Sequence, residues 1–359
     1  QENITKDVAV PEGEQKLLWI HRKDKEGHYY FISNQSNDRK EVRLSFRVVG
    51  LLPELWNPET GVEFNAPFWE QANGITTVQV NFEAYGSLFV VFRKATVAKL
   101  GFTALQLNGK VVNPFDYFFT KGSEILVRLK EPGDYVLFSG DGKLLKKTQT
   151  QKPVVKTLNT DWNVSFEKNR GAPPSAHFDK LISFTEHHAK GIRYFSGKAT
   201  YRKDFTLAAG ELSNGKAVFL DLGVVKNVAT IIINGKKVRT FWKPPFAIEI
   251  TPYCKAGKNV LEVEVTNLWP NRLIGDEAEP DDLIWGKEIH FTHVTPNRKI
   301  GRKLQAIPDW VKQNTERPGK NRIAFTTMDF FDKDDPLLPS GLLGAVKLSI
   351  ETIWNVGRD

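Results

Sequence analysis

Cysteine is almost absent from this chain. Cys254 stands alone among 359 residues, so no internal disulfide can form and no multi-cysteine zinc site can be built. Long apolar runs are missing as well. No stretch reaches the ~18 residues a membrane-spanning helix needs, which excludes a helical membrane span. The opening QENITKDVAVPEGEQ lacks both a basic and an apolar leader region, so no signal peptide is visible in it. Neither HExxH nor GxSxG occurs, and no phosphate-binding or dinucleotide-binding glycine pattern is found. The net charge of +8 is not concentrated. Residues 1–150 hold 19 Lys and Arg against 18 Asp and Glu, and in the remainder the cations are scattered among acids. Nucleic-acid binders gather Lys and Arg on one face or stripe, so nucleic acid is not expected as a partner.

The chain is rich in β signals. In EVRLSFRV (41–48), Val42, Leu44, Phe46 and Val48 share one face, with Arg43, Ser45 and Arg47 on the other. That period of two marks a sheet with one wet face. Similar runs are LLWIH (17–21), HYYFISN (28–34), GITTVQVNF (74–82) and SLFVVFRK (87–94). Others are ALQLNGKVV (104–112), SEILVRL (123–129) and DYVLFS (134–139). A third group reads as strands at 197–207, 216–223, 228–235, 237–242, 246–250, 259–267, 322–330 and 345–354. Asn108-Gly109 and Asn234-Gly235 sit between apolar runs, as two-residue hairpin turns do. The polar, basic stretch GDGKLLKKTQTQKP reads as a linker near residue 150. Short strands punctuated at this interval predict an all-β chain of two β-sandwich domains, residues 1–150 and 151–359. Residues 95–150 form a candidate separate small β unit. Between Trp269 and Asn321 the alternation lapses. A gap that long in a compact domain is usually functional or disordered, and its Trp269, Trp285, Phe291 and Trp310 favour an ordered surface. DWVKQN (309–314) is its clearest helical signal.

Candidate chemistry clusters in that gap. Asp276, Glu277, Glu279, Asp281 and Asp282 form an acidic run. Facing carboxylates ~5–10 Å apart could hydrolyse a glycoside. Oxygen-rich side chains also suit calcium, for which Asp276, Glu277 and Asp281 are the candidates, although no EF-hand spacing is present. A solvated loop is the plainer alternative. Glu288 and His290 share a face of an extended chain, while His293 points away, so this trio suits a metal poorly; His187-His188 is a similar polar pair. Cys254 reads as a buried, unreactive thiol. Aromatic residues in loops carry more information. Trp242 precedes Lys243-Pro244-Pro245-Phe246, and Trp269 opens Trp269-Pro270-Asn271-Arg272. An indole face stacks on the apolar face of a sugar ring while polar groups bond its hydroxyls. Trp242, Trp269 and Trp285 would stack, with Asn271, Arg272 and Asp276 as the polar groups. Alternatively the tryptophans pin loops to the core, and Arg272 and Asp276 brace the loop. Antiparallel connectivity is expected to bring the 242–246 and 269–285 loops to one end of the sandwich.

Residues 191–207, GIRYFSGKATYRKDFTL, resemble the opening of the sugar-binding jelly roll of glycoside hydrolase family 2. The resemblance continues through a strand ending in Leu-Gly, a strand ending in Asn-Gly, Trp-x-x-Pro-Phe, a Gly-x-Asn-x-Leu strand and Asn-x-Trp-x-Asn-Arg-Leu-Ile-Gly-Asp. FTTMDFFDKDDPLLPSGLLGAVKL (325–348) is similar to the closing segment. Residues 20–61 resemble the β-sandwich that follows the catalytic barrel in family 106 α-L-rhamnosidases. The whole chain therefore resembles the C-terminal β region of such an enzyme, its second domain a galactose-binding-like jelly roll. The resemblance implies a non-catalytic carbohydrate-binding or scaffold region, because the barrel with the acid and base would precede residue 1. No catalytic residue can be carried over, and the chain by itself is not expected to be active. Alternatives are a hydrolase with its own site in the 269–321 loop, and a purely structural module. The implied partners are a carbohydrate, such as an oligosaccharide from a plant or algal polysaccharide, and a catalytic barrel. No cofactor is implied beyond the calcium candidate. The implied setting is secreted or periplasmic in a bacterium.

Overall fold

The computed structural model describes residues 6–14, 16–290, 300–319 and 321–357. It is an all-β protein, and its chain divides into two compact units. The first unit holds Gln1–Val155, Ser213–Val218 and Ser349–Asp359, and the second holds Lys156–Leu212 and Phe219–Leu348. No helix among the described residues is long and apolar enough to cross a membrane.

The first unit begins with a two-sheet sandwich. One sheet has the order Val8–Ala9, Lys40–Phe46, Ile75–Phe82, Trp69–Ala72. The other has the order Leu17–Lys23, His28–Asn34, Ser87–Ala95, Leu51–Trp56, Glu63–Asn65. Alternation drives the packing: Leu44, Phe46, Val78, Val80 and Phe82 turn inward from one sheet, and Tyr30, Ile32, Val90 and Phe92 from the other, into one core. Removing that apolar area from water is what holds the sheets together, at about 25 cal/mol per Å2. Residues beyond 95 form a further sheet, Lys110–Val112, Phe102–Leu107, Gly133–Ser139 and Leu144–Gln149. Its core of Leu105, Tyr135 and Leu137 also takes in Val127, Leu129 and Trp354. The chain's last strand reaches this unit: Leu126 to Leu129 pair with Asn355 to Thr352, reinforced by two Arg128–Glu351 hydrogen bonds of 2.7 and 2.6 Å.

In the second unit six antiparallel strands run in the order Ser175–Lys180, Thr160–Phe166, Lys198–Leu207, Gly257–Thr266, Val228–Ile233, Lys236–Phe241. Trp162, Val164, Tyr201, Ile231, Leu261 and Val263 are fully buried beneath it. Phe219–Asp221 pairs with Ala247–Glu249, and Val224–Lys226 with Gly341–Gly344.

Most expected strands are present, and both Asn-Gly turns have positive φ at each residue, as a type I′ hairpin requires. Two expectations fail. The stretch 141–152 is not a free linker, because Leu144–Gln149 pairs with Gly133–Phe138 at six positions. It is an edge strand with both faces largely wet, so it carries no apolar alternation to read. The expected strand at 322–330 shrinks to Met328–Asp329. Its neighbours Ile323 and Ala324 direct their N–H groups to Asp276 instead of a ladder.

Candidate functional site

Lys236–Phe241 and Gly257–Thr266 are each antiparallel to Val228–Ile233, so they run the same way and leave the sheet at one end. The Trp242–Phe246 and post-266 segments therefore start at the same end, as expected. The strand common to both is Val228–Ile233, not FAIEI (246–250), which lies between the two loops and would be expected to reverse the chain; its Ala247–Glu249 pairs with Phe219–Asp221 instead. Phe246 is buried against Phe241 at 6.2 Å between ring centroids, which anchors the first loop. Trp242 is left 63% exposed, with the Lys243 ammonium 5.5 Å from its ring centroid. Trp269 is 44% exposed, and the Arg170 guanidinium lies 4.8 Å over its ring. Glu167 Oε1 accepts two 3.2 Å hydrogen bonds from Arg170, which holds the guanidinium in place.

Trp269 leads into a short helix, Pro270–Asp276. Proline suits the first helical position because the N–H it lacks would have no partner there. Gly275 is dictated by packing: a Cβ at that position would meet Tyr194 Cγ at 2.5 Å. The buried face carries Asn271, Arg272 and Asp276. Asn271 donates to the Leu338 carbonyl and accepts from the Leu338 N–H, both at 2.8 Å. Arg272 Nη2 stands 2.9 Å from Asp276 Oδ1, an ion-pair approach off the hydrogen-bonding direction. Asp276 Oδ2 accepts from the N–H groups of Ile323 and Ala324 at 3.0 and 2.7 Å. Burial pushes the Asp276 carboxyl above its ordinary range, outweighing the pull of Arg272.

Three more acids of the run, Glu277, Asp281 and Asp282, have side-chain partners. Glu277 accepts from Arg322 at 2.9 Å, and burial raises its carboxyl too. Asp282 takes a two-pronged pair from Arg317 at 2.7 and 2.6 Å. Arg317 also stacks 5.3 Å over Trp310, which meets Phe325 edge-on at 5.4 Å. Asp281 accepts the Trp285 indole N–H at 3.0 Å, and Arg302 lies 5.6 Å over the Trp285 ring while bonding Asp329 at 2.8 Å. The gap is thus ordered in its described part. It contains the helix, a hairpin of Trp285–His290 and Ile300–Leu304, and the helical turn Asp309–Lys312.

The structure brings Arg272 to Asp276, and Trp285 to Asp281, while Asn271 engages Leu338. The bracing arginines Arg302, Arg317 and Arg322, and Arg170 on Trp269, were missed by sequence reading. Their partners lie tens of residues away, beyond any local spacing. Among the described residues no group of three or more His, Cys, Asp or Glu side chains gathers as metal ligands. Glu288 and His290 are exposed on their strand, and Phe291 and His293 lie outside the described residues. The His187 and His188 rings stack on each other at 4.4 Å. Burial pushes the Cys254 thiol up to about 12, so little thiolate exists near neutral pH.

Against this geometry, comparison with known proteins is specific. Residues 1–69 match the family model described as alpha-L-rhamnosidase, and residues 179–316 the model described as glycosyl hydrolase 2 galactose-binding domain-like. Two segments of this chain are thus similar to two different glycoside hydrolase families. The rhamnosidase from Novosphingobium sp. PP1Y superposes with a TM-score of 0.64 at 28% identity, over 96% of this chain and 24% of that one. A curated relative, the putative beta-glucuronidase of Formosa agariphila, is 40% identical over 219 residues, 61% of this chain and 18% of that protein. The chain thus spans a quarter or less of the length of each relative.

Proposed function

We propose that this chain is a non-catalytic carbohydrate-binding and scaffold region of a rhamnosidase-like glycoside hydrolase. The observation that carries the reading is the division of labour in the second unit. Asp276, Glu277 and Asp282 are each engaged by an arginine, whereas Trp242 and Trp269 keep open ring surface at one end of the sheet. A general acid and a nucleophile must be free to face the glycosidic bond. Carboxylates locked to guanidinium groups and backbone N–H groups brace a loop instead. Open indole faces supply the apolar half of a sugar site. In this reading Asn271, Arg272 and Asp276 hold the Trp269 segment in place, and Trp242 and Trp269 meet the ligand. The ligand class is an oligosaccharide from a plant or algal polysaccharide, the partner is a catalytic barrel, and the setting is secreted or periplasmic. Calcium, if it acts, would have to compete with the arginines for Asp276, Glu277 and Asp281.

Two measurements on the purified chain test the proposal. Incubation with aryl α-L-rhamnoside and aryl β-D-glucuronide should release no chromophore. Turnover abolished by Asp276→Asn or Glu277→Gln would overturn the non-catalytic assignment. Calorimetry against rhamnose- and galactose-containing oligosaccharides should show heat that Trp242→Ala or Trp269→Ala diminishes. Absence of heat at millimolar ligand would overturn the binding role.

A further inference from the structure

A strand at the edge of a sheet leaves alternate N–H and C=O groups without a ladder partner. Folded proteins guard such edges by keeping them short, by covering them or by placing charge along them. Most edges of this protein follow that rule. Among the described residues, Val8–Ala9, Glu63–Asn65, Lys110–Val112, Phe118–Lys121 and Ala247–Glu249 have two to four residues. Trp69–Ala72 is covered by the returning chain, where Gly101 donates its N–H to the Trp69 carbonyl at 2.8 Å and Leu100 bridges to Glu70. The longer edges carry charge inside the strand. These are Lys146 and Lys147 in Leu144–Gln149, Asp179 in Ser175–Lys180, Lys237 and Arg239 in Lys236–Phe241, and Lys287 and Glu288 in Trp285–His290.

Leu17–Lys23 departs from it. This is the outer strand of the five-stranded sheet in the first unit, laddered to His28–Asn34 at seven consecutive positions with no bulge. Its charges, Arg22 and Lys23, sit together at one end, and it holds no proline. Leu18, Trp19 and Ile20 are 57%, 40% and 47% exposed. Among the described residues, no backbone hydrogen bond engages residues 18–22 apart from that ladder. On the face turned away from the core, an apolar row runs inward from this edge. Ile20 lies opposite Phe31, Phe31 opposite Phe89 with ring centroids 5.0 Å apart, and Phe89 opposite Trp56. The row reaches the edge and stops there, with Ile20 half in water.

We propose that Leu17–Lys23 pairs edge to edge with the same strand of a second copy of this chain, about a two-fold axis through Trp19. A two-fold interface uses one surface twice, so the strand must complement itself. Side chains alternate between faces, so only registers centred on a residue keep like face beside like face. Centred on Trp19, Leu18 meets the partner's Ile20 on the outer face, and Trp19 meets the partner's Trp19 on the other. The row from Trp56 to Ile20 then continues across the seam. Centred on Ile20 instead, the pairing would set Leu18 against the partner's Arg22. Centred on Leu18, it would set Ile20 against the partner's Lys16. The Trp19 register therefore keeps all three exposed apolar residues on one another. It also sets Lys16 against the partner's Arg22 at each end, so like charge opposes association and added salt should tighten it. Five overlapping residues bury on the order of 1,000 Å2, the lower bound of a specific interface, so the dimer is reversible. The inference goes beyond the carbohydrate reading and does not rest on it.

Analytical ultracentrifugation of the whole chain from ~1 to ~200 µM tests this. The parent should pass from monomer to dimer across that range, with a tighter dimer at ~0.5 M than at ~0.05 M NaCl. Ile20→Lys should raise the dissociation constant at least ~tenfold, because symmetry brings two ammonium groups into the seam at once. Its melting temperature at low concentration should stay parental, since the side chain is already half exposed. Leu18→Lys should act likewise and replaces Ile20→Lys if that variant folds poorly. Val111→Lys, on the short edge Lys110–Val112 and 69% exposed, should leave the dimer unchanged. A monomer at every concentration would overturn the proposal. So would a dimer that both seam variants leave intact, or one that Val111→Lys weakens as strongly, since its interface would lie elsewhere. Species growing beyond the dimer would overturn it as well, because a two-fold pair closes. A dimer that salt loosens would overturn the Trp19 register.

Discussion

Replacing Asn271 by alanine separates a brace from a ligand contact. The Asn271 carboxamide is 3% exposed and both of its ends are engaged by the backbone of Leu338, 67 residues away. Alanine removes two hydrogen bonds, each with a net value of ~0.5–1.5 kcal/mol, and strands one N–H and one C=O. Leu338 itself is 43% exposed, so water can reach part of that backbone and the penalty should sit in the middle of the range, at ~2 kcal/mol. For a domain of this size that lowers the melting temperature by ~4–8 °C. Trp242→Ala is the contrast. The indole is 63% exposed, so about 70 Å2 of a ~200 Å2 side chain leaves the protein's cover. At ~25 cal/mol per Å2, discounted for a compact unfolded state, the loss is ~1 kcal/mol. Scanning calorimetry and ligand titration on both variants give the decisive pattern. Asn271→Ala should melt earlier and, well below its melting temperature, bind oligosaccharide as the parent does. Trp242→Ala should melt nearly as the parent and bind less. An Asn271→Ala protein with parental melting and weakened binding would refute the argument, because it would place the carboxamide on the ligand.

Limited trypsin should cut after Lys143, in the turn between Gly133–Ser139 and Leu144–Gln149, before Lys146 or Lys147, which lie in the paired strand Leu144–Gln149. The nicked chain should still elute as one species in native gel filtration, since the 352–355 segment is laddered to 126–129; early cleavage at Lys146 or Lys147, or dissociation on nicking, would contradict the pairing. Acid should act on the units with opposite sign. Burial alone would raise the Glu351 carboxyl, but Arg128 holds it below its ordinary 4.5, so its contribution is complete above 4.5 and is lost as pH falls through the lowered value. Asp276, raised above its ordinary 3.8 by burial, contributes most at low pH and loses that contribution as pH rises through the raised value. Hydrogen exchange compared at pH 3 and pH 6 should therefore show the Glu124–Leu129 amides losing protection in acid ahead of Ile323 and Ala324, and equal losses in both would refute the assignment.

What could be read from sequence follows a physical boundary. Elements fixed by local chemistry were legible: period-two burial in Lys40–Phe46, and hairpins at Asn108-Gly109 and Asn234-Gly235, where positive φ favours those residues. Leu144–Gln149 was not, because a doubly exposed edge strand rich in Lys, Thr and Gln has the composition of a linker, and only its ladder to Gly133–Phe138 tells them apart. The acidic run shows the same boundary at the level of function. Five carboxylates within seven residues suggest a solvated loop, a calcium site or a catalytic pair, since local reading must assume local partners. Their partners are mostly distant: Arg322 reaches Glu277 across 45 residues, and Arg317 reaches Asp282 across 35. Only Arg272 and Asp276, four apart on one helix, could be paired in advance. An acidic cluster followed within ~50 residues by isolated arginines and aromatics, with no alternation between, is therefore better read as a loop braced by ion pairs than as a free carboxylate site. A single arginine removed from that brace leaves its carboxylate without a charge partner, at a cost below the ~3–5 kcal/mol of a fully buried pair because the Glu277 and Asp282 side chains keep 18% and 26% exposure. Stability of the loop is where such substitutions should register first.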